Sequence, residues 1–424
     1  MKSNPTIAYH TLGCKLNFSE TSALNRLFND EGYEKKSFQE DADVYVINTC
    51  SVTENADKEC RQLIRRVKKQ NPDSTVVITG CYAQLQPQQI SEIEGVDLVL
   101  GASEKFNIVK HVKEFRETGV AAIHSCEIAA IDGFHASYSI NDRTRTFLKV
   151  QDGCDYNCSF CTIPLARGHS RSDRISGVLD NVKELARSGV QEVVLTGINL
   201  GDFGKGHQGN RKTEESFYDL IQALDAFEGI PRYRISSIEP NLLSEEIIAF
   251  VSESRRFMPH FHIPLQSGSN TLLASMRRRY RRELYAEKVQ SIKSKMPHAC
   301  IGADVIVGYP GESEKLFEET LEFLTALDIS YLHVFTYSER ENTLAATLDE
   351  VVPMQIRKER NARLRKLSDL KMFEFTQKHK GQSRPVLFEQ KNEGGQMEGY
   401  TDNYIRIQRP AREENMNQIC FEII

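Results

Sequence analysis

The sequence contains no tryptophan in 424 residues, and its charges nearly cancel, with 54 Lys and Arg against 59 Asp and Glu for a net of −5. It also lacks any window near the roughly 18 uninterrupted apolar residues of a membrane span. The opening stretch, MKSNPTIAYH, has no apolar segment between a basic region and a cleavage site, so no secretory signal is expected and the chain reads as cytoplasmic, without a membrane partner. The charge balance excludes a global basic field, so affinity for nucleic acid would have to come from local patches. At 40% hydrophobic and 27% charged residues the composition excludes wholesale disorder. Against these absences stand ten cysteines. In a cytoplasmic chain disulfides are disfavoured, and grouped cysteines point instead to metal or catalysis.

At about 150 residues per domain the length suggests two or three domains. The first hundred residues alternate strand-like and helix-like stretches, as βα units of a parallel sheet do. Residues 7–12, 44–47, 76–79 and 96–100 read as strands, 19–31, 55–69 and 104–117 as helices, with Ser19 expected as an N-cap. A linker is expected over residues 129–145, where periodicity is lost. Six further strands, at 146–150, 190–196, 232–237, 260–265, 301–307 and 330–335, are separated mostly by helical patterns. They fit a partial (β/α)6 barrel, in which chemistry lies on loops after the strands' C-terminal ends. Residues 355–379 form a long charged helix, and short alternating runs after residue 381 suggest a small all-β domain. The expected class is therefore α/β, divided as 1–128, 140–378 and 379–424.

The strongest motif is DGCDYNCSFC, with Cys154, Cys158 and Cys161 just after a predicted strand. Cys-x3-Cys-x2-Cys on one loop can ligate three irons of a [4Fe–4S] cluster and leave the fourth open. An open iron can chelate the amino and carboxylate groups of S-adenosylmethionine beside an electron source. The competing reading is a zinc loop with His169 as fourth ligand, although zinc favours Cys-x2-Cys pairs. Cys14, Cys50 and Cys81 are far apart in sequence, yet each follows a predicted strand, in LGC, NTC and TGC. Parallel strands deliver such positions to one sheet edge, so the three thiols can converge, with Gly13 and Gly80 allowing close approach of a bulky ligand. The alternative is three ordinary buried cysteines. Cys60, Cys126, Cys300 and Cys420 have no spaced partner and read as structural.

Together these features resemble the methylthiotransferase family of radical S-adenosylmethionine enzymes over essentially the whole chain. HTLGCKLN, ADVYVINTCSVT, TGCYAQ, FCTIPLARGHSRS, LTGINLGDFG, RISSIEP, HFHIPLQSGS and DVIVGYPGE carry the likeness. GCYAQ, GINLGDFG, HIPLQSGS and GYTDNYI are most similar to the branch acting on N6-threonylcarbamoyladenosine at tRNA position 37. The resemblance implies that a cluster on Cys154, Cys158 and Cys161 cleaves S-adenosylmethionine to a 5′-deoxyadenosyl radical. It implies a second, auxiliary cluster on Cys14, Cys50 and Cys81 that holds the sulfur methylated by another S-adenosylmethionine, two being used per turnover. It further implies transfer to C2 of the adenine, a tRNA anticodon stem-loop as partner, an electron donor such as flavodoxin or ferredoxin, and a sulfur donor. Family members acting on isopentenyladenosine-37 or on a ribosomal-protein Asp are the nearest alternatives. An iron–sulfur protein that binds RNA or transfers electrons without catalysis is the alternative of another class.

Residues expected to hold S-adenosylmethionine follow successive barrel strands: Gly197 and Asn199, Ser236 and Glu239, Gln266 and Ser267. Asp304, within a predicted strand, is as readily a structural partner. For the substrate, Arg offers bidentate geometry toward phosphate or carboxylate. The candidates are Arg167 and Arg171 beside the cluster loop, and Arg277 and Arg278 in the run ending at Arg282. The tail resembles the family's RNA-binding (TRAM-like) β-barrel, but residues 381–424 carry five basic against seven acidic side chains. Tyr400 and Tyr404 are candidates for base stacking or for core. In the long helix, Arg357, Lys358, Arg360, Arg363, Arg365 and Lys366 form a better electrostatic surface.

Overall fold

The computed structural model describes residues 4–50, 54–128, 131, 133–140, 144–205, 215–391 and 394–424. Residues 129, 130, 132 and 141–143 of the expected linker, and 51–53 of the NTCSVT motif, lie outside that set.

The N-terminal region runs β1 (Thr6–Thr11), α1 (Lys15–Asp30), β2 (Glu34–Lys36), β3 (Val44–Thr49), α2 (Glu54–Gln70), β4 (Thr75–Gly80), α3 (Cys81–Leu85), α4 (Pro87–Ser91), β5 (Leu98–Leu100), α5 (Ile108–Thr118) and β6 (Ala122–His124). Its sheet has the order β2-β1-β3-β4-β5-β6, and every pairing is parallel. The β-branched runs of β3 and β4 are buried along their whole length, as central parallel strands with both faces covered must be. One expectation fails here. Helix α1 starts at Lys15, four residues before Ser19, with Cys14 at its N-cap and no side-chain cap. Ser19 is a buried interior residue whose hydroxyl meets the Leu16 carbonyl at 2.8 Å and the Ser137 hydroxyl at 3.0 Å. The periodicity misled because α1 is covered on two sides. Leu24 and Phe28 pack on the sheet, while Asn17, Glu20 and Ser22 are buried as well, on a helix that also contacts the barrel.

The central region begins at β7 (Ser137–Tyr138), antiparallel to β8 (Arg145–Lys149), and continues with β9 (Gln151–Asp152), α6 (Ile163–Arg167), β10 (Arg171–Ser172), α7 (Ile175–Arg187), β11 (Glu192–Thr196) and α8 (Phe217–Ala226). Next come β12 (Arg232–Ile235), α9 (Glu245–Glu253), β13 (His260–His262), α10 (Asn270–Ser275), α11 (Arg282–Lys295), β14 (Cys300–Val307), α12 (Glu314–Ala326), β15 (Tyr331–Thr336) and α13 (Met354–Lys378). Strands β8, β11 and β12 pair in parallel, as do β13, β14 and β15, and parallel bridges Tyr233–Phe257 and Ser237–His262 join the two sets. The result is the expected open, six-stranded barrel wall around one large apolar core.

The tail forms an antiparallel sheet of β16 (Ser383–Lys391), β17 (Gln396–Thr401), β18 (Arg406–Pro410) and β19 (Ile419–Ile423), in the order β18-β17-β16-β19. It packs on the barrel rather than standing apart. Val386, Phe388 and Ile407 share a core with Tyr331, Cys300 and Phe375, and Arg234 donates to the carbonyls of Thr401 and Asp402. Tyr404 stacks on His260 at 4.1 Å between ring centroids, and Tyr400 stacks on Tyr404 at 4.8 Å. Both rings are therefore engaged within the protein.

Candidate active site

The loop after β9 presents three thiols, and each sulfur has an N–H donor. The Tyr156 amide lies 3.4 Å from Cys154 Sγ, the Ile163 amide 3.5 Å from Cys161 Sγ, and Arg278 Nη1 3.1 Å from Cys158 Sγ. The loop is anchored from behind, because Ser159 bonds Ser275, Tyr309 and Ala345. Burial pushes the Cys154 and Cys161 thiols up to about 12 and raises Cys158 as well, so thiolates are disfavoured here unless a cation meets them. A thiolate-ligated metal centre supplies that cation, and N–H donors at sulfur are a recognised means of tuning its potential.

The second set forms at the C-terminal edge of the N-terminal sheet. Cys50 and Cys81 directly follow the ends of β3 and β4, and Cys14 comes three residues after the end of β1. Their closeness is enforced by glycine. A Cβ on Gly13, at φ +98°, would meet Cys50 Cβ at 2.7 Å and Sγ at 2.8 Å, and one on Gly80, at φ +99°, would meet the Thr49 carbonyl at 2.3 Å. The surrounding protein raises the Cys14 thiol, and Arg167 pulls it back down.

Neither set has single-ion spacing. Among the described residues, only His262, Asp304 and His333 bring three such ligand atoms within 4.8 Å of one another. A tetrahedral zinc ion with Zn–S bonds of about 2.3 Å would draw thiolates to about 3.8 Å. A cubane spreads them wider, so the donor sets fit a cluster better than zinc, and His169 is directed to Asp155 at 3.2 Å instead.

A buried network ties the two sets together. Arg167 donates to Glu20 at 3.0 and 3.2 Å, to Asp152 at 3.0 Å and to Asn17 at 2.7 Å. Lys105 and Lys149 complete the cage around Glu20 at 2.8 and 3.2 Å. These cations hold the Glu20 and Asp152 carboxyls well below the usual carboxylate range against the cost of burial. Arg167 also lies within electrostatic reach of Cys14 and Cys81, while Asp152 precedes Cys154 by two residues. Arg171 is bound to Asp152 and to the carbonyls of Gly133, Arg167 and His169. Arg167 and Arg171, expected to meet substrate, are thus occupied in joining the domains and bracing the loop.

The other expected residues divide. Gln151 gathers several of them: its Oε1 accepts from the Ile198 and Asn199 amides at 2.8 and 2.9 Å, and its Nε2 donates to Gly153 and Ser170. Gly197 lies so close to Gln151 that a Cβ would stand 2.9 Å from Oε1. Asn199 accepts from the Glu239 amide, and Glu239 pairs with Arg278, which reaches Cys158. Gly197, Asn199, Glu239, Arg278 and Cys158 are therefore brought together. Burial raises the Glu239 carboxyl despite that partner. Ser236 is buried after β12. Gln266, at φ 69°, is built into the wall through its backbone to Asp304 and Ile306. Ser267 turns away, its hydroxyl 3.2 Å from Thr320 of α12. Arg277 is exposed. In α13, Arg357 and Arg360 are buried and paired and Arg363 is paired with Glu314 and Glu318, leaving Lys358, Arg365 and Lys366 on the surface.

Sequence reasoning missed Gln151, Glu20, Lys105 and Lys149. Glu20 sits among Ser and Thr in α1, and no local pattern marks its partners 85 and 129 residues away. Asp304 is indeed paired inside the barrel, accepting from His262 at 2.9 Å with His333 at 3.4 Å.

Comparison with known proteins agrees with this construction. The description "Uncharacterized protein family UPF0004" matches residues 6–101, and "Radical SAM superfamily" matches residues 148–324. A Bacillus subtilis protein named threonylcarbamoyladenosine tRNA methylthiotransferase MtaB is 40% identical, over 98% of this chain and 92% of its own. A protein of the same name from Aquifex aeolicus is 41% identical over 96% and 97%. A Staphylococcus aureus tRNA-2-methylthio-N(6)-dimethylallyladenosine synthase is 31% identical over 99% and 82%. The solved structure of the radical S-adenosylmethionine methyltransferase TsrM from Kitasatospora setae shares the fold, with a TM-score of 0.57 at 14% identity over 81% of this chain and 77% of that one. No described helix is long and apolar enough to cross a membrane. With full-length relatives at this identity and the radical SAM match over the barrel, the chain belongs to the radical S-adenosylmethionine methylthiotransferase family.

Proposed function

We propose that this protein converts N6-threonylcarbamoyladenosine at position 37 of tRNA to its 2-methylthio derivative, in the cytoplasm, with two [4Fe–4S] clusters and two molecules of S-adenosylmethionine per turnover. The observation that carries the reading is the pair of three-cysteine sites joined through one buried guanidinium, Arg167, in a chain whose 40% and 41% identical relatives bear that activity in their names. When bound, the clusters supply an electron to S-adenosylmethionine and a place for the sulfur to be transferred.

The chain's own residues provide the rest. Cys154, Cys158 and Cys161 hold the radical-forming cluster, and Arg278 donates to its Cys158 sulfur. Cys14, Cys50 and Cys81 hold the auxiliary cluster, for which Gly13 and Gly80 keep the backbone clear. Gly197, Asn199, Ser236, Glu239 and Gln266 surround the S-adenosylmethionine. Arg167 fixes the separation of the two centres. The regions 1–128, 140–378 and 379–424 act as the auxiliary-cluster, radical and RNA-facing domains. The anticodon stem-loop meets exposed cations, Arg277, Lys358, Arg365 and Lys366 among them, while a flavodoxin- or ferredoxin-like donor and a sulfur donor complete the cycle.

Nucleoside mass spectrometry of tRNA from a deletion strain tests this. Loss of 2-methylthio-N6-threonylcarbamoyladenosine is expected. Loss of the methylthiolated isopentenyl nucleoside instead moves the assignment to the other tRNA branch, and no change in either overturns a tRNA substrate. Roughly eight irons in the anaerobically purified protein are expected, whereas roughly four would remove the auxiliary cluster.

A further inference from the structure

Where the N-terminal domain, the barrel lumen and the tail meet, the structure forms a half-open cavity of about 210 Å3, to which Lys15 is exposed. Lys15 and Phe18 of α1, Arg145 and Phe147 of β8, Arg234 of β12 and Tyr404 of the tail line it. Gly13 is also part of the wall, so both neighbours of Cys14 face this space. The local charge is unbalanced. Arg234 is held by Glu192, Arg145 by Glu389, and Arg232 also lies near Glu192, at 3.8 Å. Lys15 has no hydrogen bond or ion pair among the described residues. At close range four cations are thus matched by two carboxylates; Asp304, which accepts from His262, lies within electrostatic reach of Lys15 without an ion pair to it, and Asp402 is engaged by Arg384. The positive end of α1, which lacks a side-chain cap, adds to the same field.

Such a chamber suits a small anionic group with an apolar part: the cations take the charge, and Phe18, Phe147 and the Tyr404 ring take the hydrocarbon. Adenine chemistry then says which group reaches it. The carbon that receives sulfur, C2, and the carbon bearing the N6 substituent are separated by N1 alone. A base with C2 presented to a sulfur held beside Cys14 must therefore lay its N6 appendage into the space next to Cys14. An uncharged isoprenoid would leave Lys15 desolvated without a partner, whereas a threonyl carboxylate supplies one.

Resting on the functional reading above, we propose that this cavity is the specificity subsite for the N6 appendage, with Lys15 as the residue that binds the threonylcarbamoyl carboxylate. The test uses the anaerobically reconstituted protein and anticodon stem-loops carrying threonylcarbamoyladenosine, its carboxamide analogue or isopentenyladenosine, with binding by anisotropy and methylthiolation by mass spectrometry. Wild-type protein is expected to bind the acid about tenfold to hundredfold more tightly than the carboxamide, the range of a charged hydrogen bond. In Lys15→Gln the gap should close to within about threefold, and Lys15→Arg should keep most of it. Equal affinity of wild-type protein for acid and carboxamide overturns the subsite without reference to any variant, and a gap that survives in Lys15→Gln overturns the role of Lys15. If wild-type protein methylthiolates the isopentenyl stem-loop and not the threonylcarbamoyl one, the functional reading itself falls. That outcome is distinct from methylthiolation of the threonylcarbamoyl RNA without discrimination at Lys15.

Discussion

The two cysteine sites solve one problem in opposite ways. Cys154, Cys158 and Cys161 lie within eight residues on one loop, and their sulfurs receive two local amides and one distant guanidinium. Cys14, Cys50 and Cys81 span 68 residues and meet only because three parallel strands end at the same sheet edge. The first site depends on loop conformation, which is local, and the second on strand register, which is a property of the whole sheet. A lesion in the N-terminal fold should therefore cost the second site before the first.

Removal of the thiols should separate the two sites most sharply. Replacing Cys154, Cys158 and Cys161 with Ala should abolish 5′-deoxyadenosine formation from S-adenosylmethionine. Replacing Cys14, Cys50 and Cys81 should retain part of that cleavage, remove about half of the iron and end methylthiolation. Persistent methylthiolation in the second variant would refute the division of labour.

Next in size is the joint between the sites. Arg167→Met leaves Glu20 and Asp152 buried with fewer partners, and breaking a buried pair typically costs about 3–5 kcal/mol. Denaturant unfolding should show a loss of that order, and auxiliary iron should fall further than loop iron. Equal loss from both sites would contradict the difference in construction.

A smaller effect is expected from Arg278→Ala, which removes the donor to Cys158 and the partner of Glu239. The loop cluster should become harder to reduce in a spectroscopic redox titration, because one positive hydrogen-bond donor to sulfur is lost, while the auxiliary centre keeps its potential.

The smallest is a pH effect on the same joint. The Glu20 carboxyl is held below 4.5 in the fold, and in the unfolded chain it returns to its ordinary value. Between the two values the unfolded chain binds a proton that the folded chain does not, so this contribution is complete above about pH 4.5 and lost as pH falls below it. Thermal midpoints measured from pH 5 down to pH 3 should fall more steeply for wild type than for Glu20→Gln.

Much of the fold is legible in the sequence. The barrel strands and the long helix follow from residue periodicity, and the contiguous cysteine motif from spacing. The grouping of Cys14, Cys50 and Cys81 at one sheet edge needed one more step, the rule that parallel strands share an edge. Other features were hidden for identifiable reasons. Ser19 suits a cap by residue type, but α1 begins at Lys15 and leaves Ser19 buried inside a helix that also contacts the barrel. Arg167 looked like a substrate residue because its partners Glu20 and Asn17 lie about 150 positions away. Ser267 follows the right strand, yet its hydroxyl turns to Thr320.

By itself the sequence determined which side chains are available and which local shapes they take: cysteines after strands, glycines where the backbone must leave room, and helices and strands of set period. Those are short-range matters, decided by sterics and the pattern of burial. Only the tertiary structure decided which charges are spent and which are free. Arg167 and Arg171 became internal braces and Lys15 was left facing a cavity without a partner, because the energy of a buried charge depends on every group that folding brings within a few ångströms.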